Sequence, residues 1–414
     1  MPRAKKRSAS PLDHLDPVAR QLNRAKTRDT GGKPGFTGSA YDDAVGVLPF
    51  LVNLGDELTH ADRHSIVSKA CFDCAKLERI DGVALSAAIE RHRVEFLKRA
   101  PKLYVVATAI SARLDRIDLH RTVGVSEIDI TNRLPKWIRQ ERALGNLKFH
   151  KLTENPTEYA RVLVRTSGRS EHSAFERGLY DLDCLRGIWN LIRNTERFGR
   201  YAVGRLPVNG LRRGRFHTLH SSDGIELSEE FWYEPEWQWH EPPERLSESD
   251  AASLFKAEMR VRRLMEACPY ARQVTEMIVR YSRALDGKDY GFALVSLWGA
   301  LEFATRDTDP NSQSVIKRAA FLWPDPAYAT TILRGIRDLR NDAVHATGLD
   351  AVAERHLYSL KRYVEKLIWF HLEKGRTFTS FGEACEFLDL PTDLPNLRNR
   401  VRNSSRALRW RTPS

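Results

Sequence analysis

The spacing of hydrophobic residues divides the first half of the chain into helices and strands. Apolar side chains that recur every three or four residues predict helices, whereas β-branched apolar runs bounded by turn residues predict strands. By these criteria helices are expected at 57–78, 83–98 and 179–192, and strands at 102–110, 123–130 and 159–165. Together these elements predict an α+β domain over residues 44–240.

The second half of the chain has almost only helical spacing. The segment Glu241-Pro-Pro-Glu244 is the best candidate for a domain boundary, because consecutive prolines interrupt regular structure. After it, helices are predicted at 248–267, 270–285, 290–306, 326–345 and 351–373. Residues 246–390 are therefore expected to form an all-α helical bundle. The predicted fold class is an α+β N-terminal domain followed by this bundle.

The net charge of +12 is concentrated at the two ends of the 414-residue chain. Residues 1–40 carry a net charge of +6 and residues 391–414 a net charge of +5, so the body between them is nearly neutral. We interpret residues 1–43 as a disordered basic tail and residues 391–414 as a second, arginine-rich tail. Such tails can attract phosphate backbones without sequence preference, although solvated ends without a partner are the simpler alternative.

Hydropathy and cysteine content indicate an intracellular protein. The chain has no run of eighteen apolar residues, and its basic start has no apolar stretch behind it, so neither a membrane span nor a secretory signal is predicted. Five cysteines, an odd number, do not make a disulfide framework. We therefore expect a cytoplasmic protein with no membrane association.

His60, His64, Cys71 and Cys74 have the identities of metal ligands. A histidine pair four residues apart and a Cys-x-x-Cys pair can each hold zinc. On one helix, however, the outer two residues would lie about 20 Å apart, too far for one tetrahedral ion. Core cysteines with surface histidines are the better interpretation, and neither a metal nor another cofactor is expected.

A basic segment and an aromatic segment are weaker candidates for nucleic-acid contacts. Arg212, Arg213 and Arg215 lie in a stretch, 211–220, that has strand-like alternation and could contact RNA phosphates. A solvated face is the alternative. The aromatic cluster at 231–239 could stack on bases, although packing at the domain junction is the favoured interpretation.

The strongest candidate chemistry lies in Arg334-Gly-Ile-Arg-Asp-Leu-Arg-Asn-Asp-Ala-Val-His345. Histidine transfers protons near neutral pH and arginine stabilises charge on phosphorus, so Arg340 and His345 could cut a phosphodiester. The spacing alone is weak, because it occurs twice more within 212–220. On a continuous helix the two side chains would point some 140° apart. Either the helix ends between them, or the site combines two copies of the motif across a dimer; a structural pair at a helix end is the alternative.

The C-terminal third of the chain, roughly residues 250–390, resembles the HEPN family, most closely its Apea-like branch found in prokaryotic defence proteins. Arg340-Asn-Asp-Ala-Val-His345 is similar to the family's Arg-polar-x-x-x-His motif. Ala300-Leu-Glu-Phe303 within an apolar helix and the long amphipathic helix after the motif match as well. The resemblance implies a helical bundle that dimerises and places both copies of the motif at one interface.

The resemblance also implies metal-independent RNA cleavage that leaves a 2′,3′-cyclic phosphate and a 5′-hydroxyl. In that mechanism His345 takes the 2′-hydroxyl proton or protonates the leaving oxygen. Arg340 stabilises the charge of the phosphorane.

Asn341 is expected to be the third catalytic residue, and three further residues are expected to support the site. Asn341 would orient the histidine or the phosphate, and Asp342 or Glu302 would hold the arginine in position. Arg337 lies on the same helix ridge as Asn341 and is a further supporting residue.

The expected partners are RNA, a second copy of the chain bound through the C-terminal bundle, and a phage-derived or nucleic-acid trigger recognised by the front domain. The expected role is antiviral defence or a toxin-like effector function. The alternative is a non-catalytic dimerisation protein that binds nucleic acid or a protein partner.

Overall fold

The structure of the protein is a computed structural model. It describes residues 15–28, 30–55, 57–114, 118–195, 207–227, 232–234, 242–306, 313–343 and 350–412. The side chains of residues 342, 343, 350 and 351 lie outside the described part. Within the described ranges, no helix is long and apolar enough to cross a membrane.

The described chain begins with a helical cluster that has its own hydrophobic core. Its elements are α1 Asp16–Ala25, β1 Lys26–Arg28, β2 Pro34–Phe36, α2 Ser39–Leu51, α3 His60–Ala75 and α4 Gly82–Leu97. Leu22, Leu48, Val67 and Leu85 are fully buried at its centre. The helices predicted at 57–78 and 83–98 are confirmed as α3 and α4.

Helix α1 corrects the expectation that residues 1–43 form a disordered tail, because residues 16–43 contain regular structure. Leu15, Ala19 and Leu22 recur at helical spacing and are buried in the cluster, while the arginines of α1 are exposed. Three apolar positions among many basic and polar ones give a weak periodic signal, so the sequence pattern did not predict this helix. Residues 1–14 lie outside the described part.

A six-stranded antiparallel sheet follows. Its strands are β3 Lys102–Ile110, β5 Leu119–Val123, β6 Ser126–Thr131, β7 Ala160–Gly168, β8 Phe216–Ser221 and β9 Trp232–Tyr233. They are arranged in the order β5-β6-β7-β3-β8-β9. The strands predicted at 102–110 and 159–165 are confirmed, but the one predicted at 123–130 is a hairpin of β5 and β6. Gly124 has a positive φ of 57° in its turn, a conformation that favours glycine.

Helix α6, Glu171–Asn194, connects the sheet to the rear helices and confirms the helix predicted at 179–192. One side packs on β3 and β7, and the other packs on α7 (Glu248–Glu266) and α8 (Ala271–Ala284). Every residue from Asp181 to Leu191 is buried, as expected for a helix in the centre of a domain. A short helix, α5 Glu141–Phe149, lies against Phe216 on the opposite face of the sheet.

The rear half is helical, as the sequence predicts. Beyond α7 and α8 its helices are α9 Tyr290–Ala304, α10 Gln313–Phe321, α11 Pro326–Ala343, α12 Asp350–Lys374, α13 Phe381–Phe387 and α14 Leu394–Arg411. The sequence pattern did not predict α10 and α13, whose lengths of nine and seven residues allow few apolar repeats. Helix α14 occupies the segment expected to be an arginine-rich tail.

The predicted boundary at 241–244 does not separate two hydrophobic cores. Strand β10, Glu244–Leu246, pairs in parallel with β4, Ala112–Leu114, so the segment after the two prolines is bound to the front part. The inner face of the sheet, α6 and the rear helices share one core, whereas the N-terminal helical cluster has a separate core. Local patterns cannot reveal which distant apolar faces meet, and the division into 44–240 and 246–390 therefore differs from the structure.

One carboxyl group of α6 is buried beneath the β5–β6 turn. Asp181 is 7% exposed and accepts a 2.6 Å hydrogen bond from Ser126 Oγ. A Cβ atom at Gly124 would lie 2.8 Å from Asp181 Oδ1, so this turn needs glycine for space as well. Burial raises the pKa of the Asp181 carboxyl to about 6, although the Ser126 hydrogen bond and the charge of Arg177 oppose this shift.

We expect Asp181→Asn to stabilise the protein at pH 8 and to have little effect at pH 4. The folded chain holds the Asp181 proton more tightly than the unfolded chain does. The resulting contribution to the free energy of unfolding is complete below the ordinary pKa of 3.8 and is lost as the pH rises through about 6. At pH 8 the variant should therefore gain roughly 2 to 3 kcal/mol, measured by urea unfolding.

Asp129→Asn on β6 is a matched control with the opposite sign. Although burial opposes the shift, hydrogen bonds with His120 and Arg165 lower the pKa of the Asp129 carboxyl. This variant should lose stability at pH 8. An equal gain for Asp181→Asn at both pH values would contradict the linkage to its ionisation.

Candidate active site

Arg340 lies near the C-terminal end of α11. Leu333 and Ile336, which precede it by one to two turns, are fully buried and fix this helix in the core. Helix α11 also packs on α9. The Arg340 side chain is 31% exposed, so its guanidinium group lies between the rear helices and solvent. A ligand in solution can therefore reach part of this group.

On α9, a carboxylate that is fixed by an indole lies near the guanidinium of Arg340. Glu302 Oε1 lies 3.9 Å from Arg340 Nη2 and accepts a 2.7 Å hydrogen bond from Trp298 Nε1. The indole fixes the carboxylate, and the carboxylate attracts the guanidinium. Glu302 is among the residues predicted from the sequence, whereas Trp298 is not, although residues four apart on one helix share a face. Together with Asn341, these three residues form what we call the Arg340 cluster.

Of the other residues predicted for the site, one contacts Arg340, one does not, and two have side chains outside the described part of the chain. Asn341 is exposed, and its Oδ1 accepts a 3.1 Å hydrogen bond from Arg340 Nη1. Arg337 pairs with its neighbour Asp338 at 2.9 Å, so no contact ties it to the Arg340 cluster among the described residues. His345 and the side chain of Asp342 lie outside the described residues, and their roles stay predictions.

The Arg340 cluster can bind an anion. A guanidinium group has five N–H donors. The cluster provides one hydrogen bond, to Asn341, and one longer ion pair, to Glu302. An ion pair of this length at a partly exposed position is weak, so a phosphate can take over its donors without a large loss. The geometry therefore suits an arginine that is oriented before its ligand arrives.

The basic segment before and within β8 lies inside the protein. Arg212 and Arg215 are 6% and 5% exposed. Arg213 pairs with Glu234 at 2.5 Å and lies 3.4 Å from Asp183. The expectation that Arg212, Arg213 and Arg215 contact RNA is therefore wrong, because buried guanidinium groups cannot reach a phosphate backbone. Only the second part of the predicted strand-like stretch 211–220 forms a strand, β8, and the three arginines precede it.

Two histidines of the same strand are also buried. His217 Nδ1 lies 2.6 Å from Thr108 Oγ1, and burial lowers the pKa of His217. His220 Nε2 lies 2.7 Å from Thr218 Oγ1, and burial lowers the pKa of His220 to about 4. Both imidazoles are thus neutral structural groups near pH 7. The two additional Arg-x4-His spacings therefore differ from Arg340–His345, whose arginine is accessible.

Six charged side chains form a central charge network where α6 meets β8 and α8. Its members are Asp183, Arg186, Arg213, Glu234, Arg283 and Asp286. Asp183 accepts hydrogen bonds from Arg186 Nε and Arg283 Nε, both at 2.7 Å. Although burial opposes ionisation, the neighbouring guanidinium groups keep the pKa of Asp183 well below its ordinary value. Three carboxylates balance three guanidinium groups and connect the sheet to α6 and α8.

The histidine–cysteine candidate is divided between core and surface, as predicted from the sequence. Cys71 and Cys74 are buried in the N-terminal cluster, whereas His60 and His64 are exposed. In the part of the chain that the structure describes, no group of three or more His, Cys, Asp or Glu side chains could hold a metal ion.

The aromatic segment 231–239 is described only at residues 232–234. There the Trp232 ring stacks on Phe175 of α6, with ring centroids 3.8 Å apart and planes inclined by 18°. This indole therefore packs against the protein, as favoured over base stacking.

Helix α14 is an exposed cationic surface. It contains six arginines and no acidic residue, and none of its side chains is buried. Asp393 accepts a 2.9 Å hydrogen bond from the Asn396 N–H and so caps the helix. Leu394, Val401 and Leu408 are 62–66% exposed and recur at helical spacing. The segment expected to be a tail is thus an ordered amphipathic helix.

Comparison of the chain with protein-family models, with curated proteins and with solved structures found no match. The function therefore has to follow from the side chains and their geometry.

Proposed function

We propose that this chain is a metal-independent endoribonuclease of the HEPN type that acts in the cytoplasm, in antiviral defence or as a toxin-like effector. The observation that carries the proposal is the Arg340 cluster. The arginine of an Arg-Asn-Asp-Ala-Val-His sequence is accessible and is oriented by Glu302, which Trp298 holds in turn. This is the arrangement expected for a residue that stabilises phosphorane charge.

In the proposed reaction the 2′-oxygen of RNA attacks the adjacent phosphorus, and the bond between phosphorus and the 5′-oxygen breaks. His345 takes the 2′-hydroxyl proton or supplies a proton to the leaving 5′-oxygen. Arg340 stabilises the negative charge on the phosphorane oxygens, and Asn341 orients the phosphate. The products are a 2′,3′-cyclic phosphate and a 5′-hydroxyl.

A second copy of the chain completes the proposed site. Helix α11 continues through Arg340 and Asn341 to Ala343, so the helix has not ended between the arginine and the residues just after it. If it continued to His345, the two side chains would point about 140° apart. A histidine supplied by the partner chain removes this angular mismatch and makes each active site composite.

Helix α14 is the surface proposed to hold the RNA backbone. Arg398, Arg402, Arg406 and Arg409 recur every three or four residues and follow one side of the helix, with a rise of about 4.5 to 6 Å between successive arginines. Phosphates bound there would release counterions and add salt-dependent affinity. The second candidate function, a non-catalytic RNA-binding dimer, rests on this same helix.

The proposal predicts that the protein cleaves RNA in the presence of EDTA and that His345→Ala abolishes this cleavage. The exposed His64, which lies in the separate N-terminal cluster, provides the matched control His64→Ala. End-group analysis should find 2′,3′-cyclic phosphate and 5′-hydroxyl ends.

If the wild type cut no RNA, with or without extract from phage-infected cells, the proposed nuclease function would be wrong. If that protein still binds RNA, and removal of residues 394–412 abolishes the binding, the second function is the correct one.

A further inference from the structure

A cavity of about 360 Å³ lies on the face of the sheet that is turned away from α6. On β7, Val162 and Val164 belong to the core around α6, so strand alternation places Arg161 on the opposite face. The segment between β6 and β7 covers this face and contributes Leu134 and Leu144 to the cavity wall. The cavity is therefore built from the sheet and from one long connection.

Arg161 is the half-buried cation of this cavity. Burial lowers the pKa of its guanidinium, while the charges of Glu154 and Glu158 oppose that shift. Within the described residues this guanidinium has no hydrogen bond or ion pair, whereas Arg165 on the same face of β7 pairs with Asp129. The charges of Glu154 and Glu158 compensate for the burial of this cation only from beyond ion-pair distance, and an anionic ligand in direct contact would compensate further.

The other walls of the cavity suit a ligand with a ring. Leu134, Leu144 and Phe216 provide apolar surface, and Arg133 adds a second guanidinium. The volume lies near the lower end of the roughly 300 to 1,000 Å³ typical of small-molecule sites. One phosphate and one nucleoside are of this size class, whereas a polynucleotide is not.

We propose that this cavity binds a nucleoside monophosphate, with its phosphate at Arg161 and Arg133 and its nucleoside against Leu134, Leu144 and Phe216. The planar fork of a guanidinium matches the oxygens of a phosphate group. Glu154 also lines the cavity and can accept a hydrogen bond from an N–H or O–H of the nucleoside. The site is distinct from the Arg340 cluster and does not depend on nuclease activity.

Titration calorimetry of the full-length protein with the four ribonucleoside 5′-monophosphates and with inorganic phosphate tests this proposal. We expect at least one nucleotide to bind with a Kd below about 1 mM, and Arg161→Gln to weaken it at least tenfold through the loss of charged hydrogen bonds. Arg165→Gln, on the same strand face but paired with Asp129, is the matched control and should bind as the wild type does.

The unliganded Arg161→Gln variant should have an unchanged or higher Tm, because no described partner is lost. If this variant nevertheless unfolds, the experiment is repeated with Arg161→Lys. Its affinity for the nucleotide should be several-fold weaker than that of the wild type, because lysine lacks the planar guanidinium group. Binding by none of the four nucleotides, or equal binding by wild type and the Arg161 variant, overturns the site. Inorganic phosphate that binds as tightly as the nucleotides overturns the role of the apolar wall.

Discussion

Replacing Arg340 with alanine should reduce kcat/KM for RNA cleavage by about 100- to 1,000-fold, the range for loss of one donor to developing charge. RNA affinity should change far less, because the exposed arginines of α14 remain. The matched control is Arg337→Ala, which removes an arginine one turn earlier that pairs with Asp338. Single-turnover experiments measure the cleavage rate, and equilibrium binding measures the RNA affinity. If Arg340→Ala and Arg337→Ala reduced the cleavage rate equally, Arg340 would not have the proposed role.

A mixture of two inactive variants tests whether the site is composite. If Arg340 of one chain works with His345 of the other, a heterodimer of Arg340→Ala and His345→Ala chains contains one intact pair. A statistical mixture should then regain roughly a quarter of the wild-type activity. Activity that stays at the level of either variant alone would place both residues in the same chain, and a monomer in sedimentation would exclude the composite site.

Asp183→Ala should lower the free energy of unfolding by about 3 to 5 kcal/mol, the range for removing one partner from a buried charged network. The carboxylate of Asp183 accepts hydrogen bonds from Arg186 and Arg283 and has Arg213 nearby. Its loss leaves the central charge network with three cations and two anions. Urea unfolding near pH 7 measures the change.

Glu373→Ala is the control for that substitution. Glu373 pairs with Arg260 at 3.3 Å, and both side chains are about half or more exposed. Such a surface pair contributes no more than about 1 kcal/mol, so this variant should unfold nearly as the wild type does. If Asp183→Ala had an equally small effect, the network would not contribute to the coupling of sheet and helices.

The long rear helices could be predicted because the apolar residues within each helix recur at helical spacing. In α12, Leu357, Leu360, Val364 and Leu367 recur at helical spacing and are at most 1% exposed. The same is true of α3, α4 and the central strand β3. Such patterns depend only on which face of an element is apolar, which neighbouring residues determine.

The burial of Arg212, Arg213 and Arg215 could not be predicted in this way. A basic stretch normally lies in solvent, because charged side chains are seldom buried without partners. Here the partners of Arg213 are Asp183, thirty residues earlier, and Glu234, about twenty residues later. Burial of this kind depends on tertiary contacts that no local pattern contains.

The candidate site was only partly predictable, because some of its residues are neighbours in the sequence and others are brought together by tertiary contacts. Arg340 and Asn341 belong to one short motif, and the family resemblance suggested Glu302 as a residue that holds the arginine. The contact between Arg340 and Glu302 joins two helices, and Trp298 acts only through that carboxylate. Trp298 and Glu302 are neighbours on one helix, but their connection to Arg340 depends on this tertiary contact.

Because α6 is buried between the sheet and the rear helices, neither region is a complete folding unit without it. A chain that began at residue 246 would leave the faces of α7 and α8 that pack on α6 open to water, and such apolar surfaces favour aggregation. The rear helices therefore depend on α6 to cover these apolar faces.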